Sequence, residues 1–543
     1  MKSPWVRALA RAALVAAFAV LPFLPGVRGP FIFDDLNTII QNPAIRRINL
    51  DRFFTDPGAF SVKPGNWPYR PLTVAANAVV FRIANVDPLP WHLFQIVAHL
   101  INSLLVMAAA RRVFGLKSGA LIAGLLFAAA PLQTQAVLYV SAKSMTLALT
   151  PALVAVIAVV EAGRAGKERD VLLWRGLCVT CSALAFFTSE GALALVLFLP
   201  LALYASGQSW RGQAAIRTLA AVAAAAALYV LARSLLTPGA GLVPHARVAP
   251  PYTHLQHAAL QLRFPFVMAR LFLLPLHLSF LHDAPAPAGI LDPLAWLPAA
   301  GTAAAAALIA LFRKRRAPAA GAAWYLAALL PAVIVPLNIA WAEHRSYLAL
   351  PGLAVAVGYV AQEILTARQK HGRSRVLPAR LCLAAALVML AALSWERSQQ
   401  WSSPMSIFRD AVKNAPGHDV PWSFLANEER QRLRYRDALR SLDLAIALNP
   451  RFADAYSSRA VIFISLGMYE AAADSARRAV ELDPGNGTYW NNLGTALMYL
   501  KLWKEAEAPM RRALELTPPE DPNRLSLEKN WRTLQEHPRT GAE

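Results

Sequence analysis

The chain has 543 residues, of which 56% are hydrophobic and 16% charged, and its mean hydropathy is +0.38. Soluble domains carry about 25% charged residues, so this balance excludes an ordinary soluble protein and points to an integral membrane one. The net charge of +21 does not argue for nucleic acid, because Arg and Lys collect in short runs between apolar stretches, as in RKRR at 313–316, the pattern of cytoplasmic loops.

In chain order, Lys2, Arg7 and Arg11 precede a first apolar run with no small-x-small cleavage site after it, which reads as an uncleaved first span. About 20 apolar residues cross a bilayer as a helix. Eleven stretches meet that requirement: 8–28, 91–110, 118–137, 141–160, 171–187, 190–206, 216–236, 292–312, 318–340, 346–366 and 377–395. After the first span comes FIFDDLNTIIQN (31–42), with the adjacent acids Asp34 and Asp35. Asp is also a good helix N-cap, so capping is the alternative role for this pair. Residues 71–85 are too short and polar for a span and read as an amphipathic helix on the external surface. His92 and His99 share a face of the second span. An interhelical hydrogen bond, a phosphate contact and a metal site are the alternatives, and no third ligand is evident. Cys178 and Cys181 have CxxC spacing without a second pair, and with Cys382 they read as small packing residues.

Charge sets the topology. With the amino terminus in the cytoplasm, Arg111, Arg112 and Lys117, then Arg164, Lys167 and Arg169, then Arg211 and Arg217 fall on the cytoplasmic side. Residues 257–281 contain Arg263 and Arg270, and their crossing would turn RKRR and 366–375 outward, so they read as interfacial or re-entrant. Eleven crossings then send the C-terminal region outside. Asp34, Asp35, Glu190, Asp283 and the AEHRSY stretch (342–347) gather on the same side. Ionisable groups at a membrane are functional candidates, with ordinary polar loops as the alternative.

Pro416, Pro450, Pro484 and Pro518 stand 34 residues apart, the period of tetratricopeptide repeats. Trp422, Tyr456 and Trp490 recur at one position, and Ala438, Ala472 and Ala506 at another. The organisation expected is all-α: a polytopic domain over 1–395, with 29–90 as its first external loop, a linker and capping helix over 396–420, three repeats over 421–518, and a helix and tail over 519–543. Pro509 is expected to kink the last repeat. A concave repeat surface binds extended peptide, and a spacer or oligomerisation module is the alternative.

The order FIFDDLNTIIQNP, YRPLT (69–73), WHLFQIVAHLINSLL (91–105), PLQTQAVLYVSAKS (131–144), SEGALAL (189–195), RLFLLPLHLSFLHD (270–283) and AEHRSYLALPG (342–352), followed by the repeats, resembles the TMTC family and its bacterial relatives. The resemblance implies a GT-C glycosyltransferase fold that takes sugar from a polyprenyl phosphate at the external membrane face. The eukaryotic relatives transfer mannose to Ser or Thr of proteins. It implies Asp34 and Asp35 as the catalytic acidic pair. Donor phosphate and substrate contacts are then expected from Tyr69, Arg70, Lys143, Glu190, Asp283, Glu343 and Arg345, with acceptor binding by the repeats. Beyond the lipid-linked sugar no cofactor is implied, and no metal ligand is assigned. The sequence departs from the family's HPxxTEAV at Ala130 and Gln135, and from its AER pattern at His344. Two expectations follow: a transferase in a bacterial inner membrane with periplasmic repeats, or a non-catalytic membrane-anchored scaffold.

Overall fold

The structure is a computed structural model that describes residues 4–62, 68–237, 253–289, 292–334, 341–370, 373–517 and 524–536. Among these residues every regular element is helical. The chain divides into two units, one of residues 1–280 and 284–403, the other of 281–283 and 404–543.

The first unit is a multi-pass membrane domain. Among the described residues, eight of its helices are long and apolar enough to cross a bilayer: Pro4–Gly26, Pro88–Arg112, Val140–Arg164, Glu168–Thr188, Gln213–Leu236, Pro293–Leu311, Leu350–Gln369 and Val376–Gln400. A ninth candidate is the pair Ser118–Ala129 and Pro131–Leu138, bent by 50°. The bend sits at Pro131, which has no N–H to continue the ladder. The two remaining expected spans appear as the short apolar segment Glu190–Ser206 and as Arg316–Ile334. Residues 335–340 of the latter expectation lie outside the described residues. Residues His254–Leu273 form a helix opened by a capping box between Thr253 and Gln256, and it is not among the candidate crossings. The short helix Pro71–Ala84 buries Val74, Asn77 and Ala78 while leaving Ile83 exposed.

The basic turns meet at one end of this bundle. Glu161 takes ion pairs from Arg112 at 3.4 Å and Arg164 at 3.3 Å, so the helices Pro88–Arg112 and Val140–Arg164 end side by side. Tyr204 donates to the Arg313 carbonyl, and the Gln362 side chain accepts from the Lys117 N–H. Lys143 and Arg164 stand at opposite ends of a 22-residue helix, a separation of about 30 Å at 1.5 Å per residue.

The second unit contains the repeats. Pro404–Asn414 is the expected leading helix, and it is followed by three pairs: 419–431 with 435–448, 453–465 with 469–482, and 487–499 with 503–516. Trp422 Nε1 donates to the Pro416 carbonyl at 3.0 Å and Trp490 Nε1 to the Pro484 carbonyl at 2.9 Å, so the recurrent Trp and Pro are partners. Ala438, Ala445, Ala472, Ala479, Ala506 and Ala513 are fully buried, as close packing within each pair requires. Pro509 lies inside the helix Trp503–Leu516, which continues through it without a break. Arg524–Glu536 closes the stack through Leu527 and Leu534.

Candidate functional site

The segment after the first span is held by its own acids. Asp35 is buried, and its carboxylate accepts from Ile32 N at 3.1 Å, Ser141 N at 2.7 Å and Ser141 Oγ. It therefore ties residues 32–35 to the turn before the helix Lys143–Arg164, and it makes no side-chain cap on the π-helical turn Leu36–Ile40. Burial pushes the Asp35 carboxyl up to about 6 against the opposing pull of these bonds and of Lys143. Desolvation, rather than repulsion from its neighbour, is the cause.

Asp34 is only half-buried. Tyr139 brackets it, accepting from the Asp34 N–H at 3.2 Å and donating to Asp34 Oδ2 at 3.1 Å. The preceding Phe33 has φ +51°, a strained backbone for a bulky side chain. Its ring packs edge-on to Phe280 at 5.7 Å, which helps hold that conformation.

Two arginines lie within electrostatic reach of Asp34. Arg70 is clamped by Glu190, Nε to Oε2 at 2.7 Å and Nη2 to Oε1 at 2.5 Å, and its Nη1 reaches Ser144 Oγ at 3.1 Å. A bidentate pair of this kind fixes the guanidinium plane. Arg345 stands on the turn Glu343–Ser346, and burial together with the like charge of Arg70 presses it down to about 10, while Glu190 and Asp34 partly offset this. Its neighbour His344 is held neutral, at about 3, by burial and by Arg345 and Arg70. Asp34, Arg70, Glu190 and Arg345 thus come from four separate stretches into one charged cluster.

The other expected residues lie differently. Tyr69 is buried, with its ring against Phe187 and Tyr229 and its hydroxyl donating to the Phe54 carbonyl, so it supports the core. Lys143 is 2% exposed, its Nζ lies 4.4 Å from the centre of the Trp91 ring, and no hydrogen-bond partner reaches it among the described residues. Glu343 is fully buried, accepts from Ser279 N at 2.7 Å and lies 3.9 Å from Arg397, which makes it an anchor of the turn. Asp283 groups with the second unit, where its carboxylate accepts from the Gly417 N–H at 3.2 Å. His99 bridges the Ala128 carbonyl and Tyr347 OH, and His92 reaches the Gly29 carbonyl. Among the described residues no group of three or more His, Cys, Asp or Glu could hold a metal ion.

Tyr139, Ser141 and Ser144 belong to the site although the sequence did not single them out. All three fall inside the PLQTQAVLYVSAKS stretch, and a hydroxyl repeated along a turn was the available signal.

The tetratricopeptide-repeat family profile matches residues 425–487 and 467–521. The chain is 31% identical to the protein O-mannosyl-transferase Tmtc1 of Drosophila melanogaster over 136 residues, 24% of this chain and 16% of that one. It is 25% identical to the protein O-mannosyl-transferase F38B6.6 of Caenorhabditis elegans over 141 residues, 25% of this chain and 20% of that one. The match thus spans a fifth or less of these two relatives. Among solved structures, that of ArnT from Cupriavidus metallidurans bound to undecaprenyl phosphate aligns with 88% of this chain and 80% of its own, at 14% identity and a TM-score of 0.41.

Proposed function

We propose that the chain is a membrane glycosyltransferase that moves a sugar from a polyprenyl-phosphate donor to a protein hydroxyl on the external membrane face. Mannose is the sugar favoured, because relatives sharing about a quarter of this chain are named protein O-mannosyl-transferases. The observation that carries the reading is one accessible carboxylate, Asp34, gathered with Arg70 and Arg345. A carboxylate and paired guanidiniums are what an acceptor proton and a departing phosphate require.

In the reaction, the acceptor hydroxyl gives its proton to Asp34 while its oxygen bonds to the anomeric carbon. The bond from that carbon to the phosphate oxygen breaks with inversion, and the polyprenyl phosphate leaves with the electron pair. Arg345, with the Arg70 N–H groups not spent on Glu190, stabilises the departing charge. Asp35 holds the segment that aims Asp34, and Tyr139 fixes the Asp34 rotamer. The repeats bind the acceptor protein. In a bacterial cell the enzyme sits in the inner membrane with its repeats in the periplasm.

The test is incubation of the purified protein, in lipid nanodiscs, with a panel of labelled polyprenyl-phosphate sugars and Ser/Thr peptides. Label is expected to pass from the mannose donor, and Asp34→Asn is expected to lower kcat by about 10²–10⁴-fold at unchanged protein level. Wild-type turnover in Asp34→Asn refutes the base assignment. No transfer from any donor in the panel refutes the enzyme.

A further inference from the structure

Gln135 lies on the short helix Thr134–Leu138 and is 1% exposed. Both ends of its amide are used. Nε2 donates to the Phe280 carbonyl at 2.9 Å, and Oε1 accepts from the His344 N–H at 2.9 Å. The Phe280 and His344 backbones are far apart in sequence, and Glu343 joins the same two stretches by accepting from Ser279 N at 2.7 Å. The turn that carries Arg345 is therefore pinned from two sides by buried side chains.

We propose that Gln135 is a positioning residue: by fixing the His344 backbone it sets the aim of Arg345 at the donor phosphate, and it does so as an amide because the site offers one carbonyl and one N–H. This rests on the reading of Arg345 as a phosphate contact. The chemistry is selective. A carboxylate would still accept from His344 N–H, but its second oxygen would face the Phe280 carbonyl with no proton between them, an uncompensated buried repulsion. A protonated carboxyl restores the pattern, donating through its O–H and accepting through its C=O. Gln133, two residues earlier and equally buried, has neither side-chain polar atom hydrogen-bonded among the described residues, so it supplies a control at the same depth.

The experiment measures the Kd of a labelled polyprenyl phosphate for the full chain in nanodiscs from acidic to alkaline pH, each variant expressed as a ratio to wild type at the same pH. The titratable groups around Gln135 include Glu343, His344 and Arg345 on the turn, Arg397 beside Glu343, and Tyr139, whose N–H donates to the Gln135 carbonyl and whose ring packs against Phe280 and His344, and all of them are present in wild type and in the Gln135 variants alike. The ratio therefore isolates the new carboxyl and cancels the titration of the ligand. Gln135→Met is expected to weaken binding about tenfold at every pH, the scale of losing buried hydrogen bonds. Gln135→Glu is expected to match wild type at the acidic end and to approach Gln135→Met at the alkaline end. Gln133→Leu is expected to bind as wild type does. Adding Gln135→Met to Arg345→Ala is expected to cost nothing further. A pH-independent ratio for Gln135→Glu, or full additivity of the double variant, overturns the proposal while leaving Arg345 in place. Wild-type affinity in Arg345→Ala overturns the phosphate reading and the proposal with it.

Discussion

Asp34 and Asp35 are neighbours in sequence with opposite surroundings, and the contrast comes from where the backbone turns at Phe33. Asp35 points inward onto Ser141 and Ile32, whereas Asp34 keeps partial exposure beside Tyr139. The raised carboxyl of Asp35 makes a directional prediction. A group whose folded pKa lies above its unfolded value contributes stability at low pH that is lost as pH rises through the folded value. The excess stability of wild type over Asp35→Asn should therefore be greatest near pH 4 and shrink until about pH 6, then stay level. Thermal unfolding of the two proteins in detergent across that range measures it, and an excess that grows with pH contradicts the burial account. Which acid would be buried was not legible from DDLN, because adjacent carboxylates look alike until the chain direction is fixed by distant partners such as Ser141.

Helices in the first unit touch through glycine. A Cβ on Gly358 would lie 2.6 Å from the Gly119 carbonyl, and one on Gly321 would lie 2.7 Å from the Gly352 carbonyl. The helix Leu350–Lys370 thus meets Ser118–Ala129 and Arg316–Ile334 backbone to backbone, the close approach that small residues permit between membrane helices. Gly358→Val is expected to destabilise the bundle by about 1–3 kcal/mol through overpacking. Gly176, where an added Cβ would meet nothing within 4 Å, should accept Ala without loss. Unfolding temperatures of the solubilised variants check both, and an unchanged value for Gly358→Val rejects the contact. The repeat helices were the most legible elements, since their 34-residue spacing and buried alanines repeat the same packing problem three times.

On the scale of the first unit, the basic turns cluster at one end of the bundle and Asp34, Arg70, Glu190 and Arg345 gather away from them. The helix from Lys143 to Arg164 joins the two ends. Cytoplasmic loops attract Lys and Arg, so the charged cluster is expected to face the external compartment. An odd number of crossings, whether the eleven read from the sequence or the eight spans with the bent pair as a ninth, is expected to place the repeats in that compartment too. A bacterial host expressing the full chain with a C-terminal alkaline phosphatase is expected to show phosphatase activity, and the matching GFP fusion is expected to stay dark. The reverse pattern removes the repeats from the acceptor side and refutes the proposed division of labour.

The sequence alone determined the all-helical class, most of the long apolar helices, the basic turns and the repeat register, because each is written as a local period or a run that hydration forces into one environment. It also brought Asp34, Arg70 and Arg345 forward as candidates. Only the tertiary structure separated Asp34 from Asp35, turned Tyr69 and Lys143 into the interior, placed Asp283 in the second unit and showed Gln135 bonded to both Phe280 and His344. Those outcomes depend on contacts between residues more than a hundred positions apart, or on the direction of one side chain in a crowded core. No local pattern encodes them, since the free energy that decides them exists only once the helices have packed.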